Sequence, residues 1–180
     1  MNLEIIQEIL DKTDKKVIQS DCKKILKKLS FKSSKDTGWV TELAVWLYVF
    51  GYYDYAIAVA NLFDTVEFDG NYTLWENIKG ARLLKARILR ERGKTREAEE
   101  AVQTLLPYEH PKLYKNASKD LDLYARNIES NIEVGVSPQG WQLVRLETAI
   151  KYRELKGFPM RPKVLEKIIA ELIETLSEYK

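Results

Sequence analysis

The sequence predicts an all-α protein built from antiparallel helical hairpins, and three observations carry this. Residues 43–63 form the only long apolar stretch of the 180-residue chain, with Gly51 near its middle. A segment 42 residues further on repeats its small residues and its glycine in a far more polar setting. That second copy is rich in strong helix formers, with Arg87, Arg90, Glu91 and Arg92 before Gly93 and Glu97, Glu99 and Glu100 after it.

Residues 2–12 carry Leu3, Ile5, Ile6, Ile9 and Leu10 at helical spacing, a short amphipathic helix. Thr13 or Asp14 is positioned to cap the next helix, which runs to about Leu29 with Ile18, Cys22, Ile25 and Leu29 in one stripe. Lys16, Lys23 and Lys27 fall on the opposite face. Asp11, Asp14 and Asp21 dilute that charge and no aromatic residues interleave it, so the face reads as solvated. Cys22, within the apolar stripe, reads as a small core residue. Ser30 to Gly38 is polar and reads as a loop ending in Asp36, Thr37 and Gly38.

Leu43 to Phe50 is apolar all round, as in a helix enclosed by neighbours. Taken alone, Val45 to Phe50 suits a buried strand equally well, because aromatic and β-branched residues favour strands. The internal repeat separates the two. A shift of 42 sets Ala44 on Ala86, Leu47 on Leu89, Gly51 on Gly93 and Ala56 on Ala98. The second copy is helical by composition, so the first is read as helical too. The alanines let paired helices approach closely, and each glycine stops its helix with a positive φ.

On these residues, segments 38–64 and 80–106 resemble tetratricopeptide repeats (TPR). The shared pattern is a small residue, a turn glycine seven residues later and an alanine five beyond it. The resemblance implies a right-handed TPR-like array in a single domain of about nine helices. It comprises amino-terminal helices at 1–36, two hairpins at 37–107 and further helices at 118–180. It also implies a concave groove lined by the first helix of each pair, with Thr41, Val45 and Tyr48 from one copy and Leu83, Arg87 and Arg90 from the other. The extra length relative to the family's repeat falls in Thr65–Thr73, where Asp69-Gly70-Asn71 is a turn signal. Phe68, Tyr72 and Trp75 are costly to expose in a loop. They either clamp it onto the hairpin or form a recognition edge.

Pro107 and Pro111 interrupt the array around His110, which has no second histidine or cysteine nearby and reads as a surface residue. Ser118 is expected to cap a helix with Leu121, Tyr124, Ile128 and Ile132 inward, closed by Gly135. Ser137-Pro138 opens another, carrying Trp141, Val144, Leu146, Ile150 and Leu155 and ending at Lys156-Gly157. Pro159 and Pro162 precede a last helix with Val164, Leu165, Ile168, Leu172 and Leu176 inward, which caps the array.

The charge balance narrows the function. A net charge of +2 argues against a dedicated nucleic-acid-binding domain. One cysteine and one histidine leave no internal disulfide and no histidine-rich metal site. The amino terminus lacks the basic and apolar regions of a secretory signal, so a cytoplasmic location is expected. Residues 43–63 are long enough to span a bilayer. Asp54, Gly51 and the central Tyr48, Tyr52, Tyr53 and Tyr55 instead favour two buried helices and no membrane partner.

No Gly-rich phosphate loop, nucleophile elbow, HExxH or inward ExxH is present. The expectation is no catalytic residue, no metal and no cofactor. The chain reads as a non-catalytic interaction module whose groove binds a peptide or an acidic partner surface. Candidate contact residues are Tyr48, Arg87 and Arg90 on the groove and Asp69, Asn71, Tyr72, Trp75 and Glu76 at the loop edge. Arg87 and Arg90, three apart on one face, suit a carboxylate. The alternatives are a self-associating scaffold, homodimeric through the aromatic-rich first hairpin, and an inhibitor of the antitoxin or immunity type.

Overall fold

A computed structural model describes residues 3–103, 105, 113–155, 157 and 162–178. Among them are nine α-helices and no strand. The helices are α1 (Glu4–Lys12), α2 (Lys16–Lys27), α3 (Ser34–Val49), α4 (Tyr53–Ala60), α5 (Tyr72–Glu91), α6 (Thr95–Gln103), α7 (Leu113–Glu133), α8 (Gly140–Leu155) and α9 (Pro162–Ser177). A 3₁₀ turn, Asn61–Phe63, extends α4.

The central stretch is a helical hairpin, α3 and α4, and the polar copy is a second one, α5 and α6. Gly51 and Gly93 make the turns at φ of 81° and 76°. At the first, Tyr52 N–H reaches Leu47 O at 2.7 Å and Gly51 N–H reaches Tyr48 O at 3.0 Å. At the second, Lys94 N–H reaches Leu89 O and Gly93 N–H reaches Arg90 O, both at 2.9 Å. This paired closure satisfies two orphan carbonyls and needs a left-handed residue at the glycine position. Ala44, Ala56, Ala86 and Ala98 are all buried, as close helix approach requires. Gly135 repeats the turn between α7 and α8, with Val136 N–H on Asn131 O at 2.8 Å.

Helices α1 and α2 close one side through Ile6, Ile9, Ile18, Cys22 and Ile25, all fully buried. At the other end α7, α8 and α9 pack on one another, and α8 lies across both α3 and α5. Among the described residues α7 touches neither α5 nor α6. The third glycine-turned pair therefore meets the hairpins through its second helix.

Several local expectations are corrected. Neither Thr13 nor Asp14 caps α2. Thr13 Oγ1 instead donates to Ile9 O at 2.8 Å and closes α1. Helix α3 starts before the expected loop has ended, because Ser33 Oγ accepts from Asp36 N–H and caps it there. Asp36, Thr37 and Gly38 are therefore helical. Helix α7 is already under way at Ser118, which does not cap it. Pro138 lies ahead of α8, whose first turn is closed by Gln139 N–H donating to Gln142 Oε1 at 2.7 Å. Val164, expected inward, is 53 % exposed, and Trp141 and Leu155 of α8 are 42 % and 53 % exposed. Helix α8 is buried round most of its circumference, from Leu143 and Val144 to Leu146, Thr148 and Ala149, and Trp141 and Leu155 are exposed at its two ends. The proline-bracketed segment around His110, Lys156 and Pro159 lie outside the described residues.

Candidate functional site

The face expected to form an open groove is covered by α8. Thr41, Val45, Leu83 and Arg87 are each under 9 % exposed. Two glycines set the crossing. A Cβ on Gly80 would sit 3.0 Å from Val144 Cβ and 3.6 Å from Thr41 Cγ2. A Cβ on Gly140 would sit 2.5 Å from Glu42 Oε1 and 3.1 Å from Val45 Cγ1. Side chains at those two positions would push α8 off α3 and α5.

Beyond the crossing lies an ionic node centred on Arg87. Its Nε donates to Glu147 Oε1 of α8. Its Nη1 donates to Glu91 Oε1 at 3.1 Å, and its Nη2 to Glu166 Oε2 of α9 at 3.2 Å. Tyr48 Oη of α3 donates to Glu91 Oε1 at 3.0 Å. One guanidinium thus joins α5, α8 and α9, and its partner Glu91 reaches α3. Burial pulls the Arg87 pKa down, but the Glu147 and Glu166 carboxylates overcome it and hold the group above the ordinary arginine value. Burial pushes the Glu147 carboxyl up, against the pull of Arg87. Burial also raises the Tyr48 phenol, which stays a donor. Arg87 therefore meets the carboxylate expected for it, supplied within the chain.

Arg90 behaves differently. It is exposed and takes part in no ion pair described within 4 Å. It opens onto a pocket of about 600 Å³ lined also by Glu91, Ile150, Glu154 and Glu166.

At the start of α8, the Glu42 carboxyl lies beside the backbone N–H groups of Gly140 and Trp141. Burial and the nearby Asp21 nevertheless push it up to about 7, while those N–H groups and Lys24 work the other way. Asp21 is buried beside Lys24 at 2.7 Å, and its carboxyl is raised by that burial. The Cys22 thiol is pushed up to about 12, first by burial, which suits a core residue rather than a nucleophile.

The loop edge packs. Phe68 lies 5.0 Å from the Tyr72 ring and 5.6 Å from the Trp75 ring, and Trp75 is 2 % exposed. Arg82 stacks over Trp75 at 5.5 Å and donates to Phe63 O and Val66 O, tying the loop to α5. Asp69 and Asn71 are exposed, but their side chains accept from Asn71 N–H and Leu74 N–H to shape the turn and cap α5. Glu76 pairs with the fully buried Lys79 at 3.1 Å. It also lines a pocket of about 290 Å³ with Thr73, Asn77, Trp141, Val144, Arg145 and Thr148. Of the predicted contact residues, Tyr48 and Arg87 share the node and Arg90 flanks it. Asp69, Asn71, Tyr72 and Trp75 form a separate, packed corner.

Glu42, Gly80, Gly140, Glu147 and Glu166 were not foreseen. One signal was available: Gly135 and Gly140 lie 42 residues beyond Gly93 and Ala98, extending the period to a third copy. Among the described residues no group of three or more His, Cys, Asp or Glu has a metal-binding arrangement. No helix among them is long and apolar enough to cross a membrane.

Residues 2–111 match a family of unknown function, DUF6707, and the chain belongs to that family. No curated protein and no solved structure matches. The match ends before α7, so the helix that covers α3 and α5 lies outside it.

Proposed function

We propose that this chain is a non-catalytic interaction module that binds a protein partner's peptide segment through the face shared by α3 and α5. The observation behind this reading is α8 itself, a helix seated on that face through two glycine crossings and one buried carboxylate–guanidinium pair. A face shaped for a helix, in hairpins that resemble tetratricopeptide repeats, is a recurring peptide-recognition surface. Arg90 and the pocket beside it offer a partner its first polar contact at the edge of α8. The test is capture on the immobilised full chain from an extract of the source cells, with mass-spectrometric identification. One protein should be enriched by wild type and lost with Arg90→Ala. Equal recovery by both chains would remove the reading.

Self-association is a second reading with its own observation. Val134, Val136 and Trp141 are 72 %, 51 % and 42 % exposed around the Gly135 turn. Clustered exposed apolar side chains mark contact surfaces. Light scattering across the micromolar range should then report a dimer that Val134→Ser plus Val136→Ser dissolves.

A further inference from the structure

We infer that the α3/α5 face selects a helix with the chemistry of α8, and that α8 is a resident competitor which the partner's helix displaces. This rests on the interaction-module reading and adds the partner's identity by chemistry. The sought segment is a helix with a glycine, a β-branched residue four positions on and a glutamate three beyond that, as in Gly140, Val144 and Glu147.

Each element of the pattern has a reason on the face itself. Gly140 lies where any side chain meets the Glu42 carboxyl and Val45. Val144 fills the space left open by Gly80, where an added Cβ would also meet Thr41. Glu147 is 5 % exposed and receives the Arg87 Nε hydrogen bond, and Arg87 is itself 8 % exposed. A helix lacking that carboxylate would bury Arg87 without its most enclosed partner, which is a strong discriminator between segments. The remaining Arg87 partners do not substitute for it, because Glu91 and Glu166 are 42 % and 57 % exposed at the side-chain level. The family match supplies an independent reason. It covers the helices that form the face and stops short of the helix that fills it.

A tethered occupant competes at high effective concentration, so an outside helix gains access only in proportion to the fraction of chains in which α8 has lifted. Weakening the α8 anchor should therefore raise the apparent affinity for an α8-like helix in trans. The probe is a fluorescein-labelled synthetic peptide spanning residues 138–155, with a second peptide carrying Glu147→Gln. Both are titrated by fluorescence anisotropy into the full-length wild-type, Glu147→Gln and Glu166→Gln chains, with circular dichroism as the check on folding. The native-sequence peptide should bind the Glu147→Gln chain at least about tenfold more tightly than wild type. It should bind the Glu166→Gln chain, altered at an exposed α9 carboxylate that does not anchor α8, no more tightly than wild type. The Glu147→Gln peptide should show no gain. Hydrogen exchange should report loss of protection in the chain's own α8 when peptide binds.

Equal affinity of the two peptides, or binding that leaves α8 protected, overturns the inference. Should the Glu147→Gln chain fail to fold, a Val144→Ala chain, loosened where α8 packs on Gly80, decides by the same two readouts. Peptide exchange without any enriched cellular partner would leave this chemistry standing and remove the interaction role. A captured partner that the peptide does not compete would do the reverse.

Discussion

Helices α3 and α5 are the first arms of two hairpins that turn at glycines of the same conformation, yet they fill the interior with different chemistry. Helix α3 buries Val40, Leu43, Val45, Trp46 and Leu47 and is enclosed by α2, α4, α5 and α8. Helix α5 buries Leu84 and Ile88 and also Lys79, Arg82 and Arg87. Each of the three cations is met by a particular acceptor: Glu76 for Lys79, the Phe63 and Val66 carbonyls for Arg82, and Glu147 for Arg87. Apolar contact is undirected, so these α3 side chains accept neighbours by volume, while Thr41 and Tyr48 of the same helix add two directed hydrogen bonds to α5. Lys79 is met within α5 by Glu76, but Arg82 and Arg87 accept only a neighbour that brings the right acceptor to the right place. One helix supplies cohesion and the other selects what docks on it.

The sharpest way to break this contrast is at Arg87. Arg87→Ala leaves Glu147 buried and uncompensated, an expected loss of about 3–5 kcal/mol in denaturant unfolding. The pair Arg87→Met with Glu147→Leu should recover most of that, because an apolar pair removes both desolvation penalties. A loss below about 1 kcal/mol for Arg87→Ala would make the node an ordinary surface ion pair. On the other helix, Leu47→Ala should cost about 2–4 kcal/mol through the cavity it leaves. Here a single partner change has no power to rescue it. If some compensating residue on one neighbour did restore Leu47→Ala, α3 would be as selective as α5.

A pH titration sharpens the comparison at the start of α8. The Glu42 carboxyl rises from an ordinary 4.5 to about 7 in the folded chain. Between those values the native state holds a proton that the unfolded state has lost. Stability therefore falls as pH rises from about 4.5 through about 7, and is unaffected by this group below that window. Glu42→Gln removes the dependence and should leave the protein more stable than wild type at pH 8, by on the order of 2–3 kcal/mol. Thermal midpoints measured across pH 4–8 check this. A variant with the same slope as wild type would assign the dependence to Asp21 instead.

The apolar arm was legible in the sequence and the selective arm was only half so. Continuous hydrophobicity at 43–50, the paired alanines and two turn glycines all point to enclosed helical hairpins, because each acts within a few residues of itself. Arg87 and Arg90 were legible as a pair that suits carboxylates. What separates them is where partners come from: Arg87 pairs with groups 60 and 79 residues away. Nothing local distinguishes an arginine that α8 will cover from one left in solvent. Trp75 shows the same limit, since its place under Arg82 and beside Phe68 follows from the path of the loop. Gly135 and Gly140 carry the remaining signal, because the 42-residue step from Gly51 to Gly93 continues to Gly135.

The smallest expected effects sit at the glycines, and they divide by mechanism. Gly51 and Gly93 have nothing within 4 Å of an added Cβ, so Gly51→Ala and Gly93→Ala incur only the strain of positive φ. That strain is about 1–2 kcal/mol per residue. The cost should be equal in the apolar and the polar hairpin, because the turn does not sense what its arms bury. Gly80→Ala has an ordinary helical φ and instead forces Val144 aside, so its cost should appear as lost hydrogen-exchange protection in α8 while the α3–α4 turn stays protected. Unequal costs at Gly51 and Gly93 would mean that the arms, rather than the turns, set the hairpin geometry. Protection lost everywhere with Gly80→Ala would mean that α8 is part of the common core and not a separable occupant of its face.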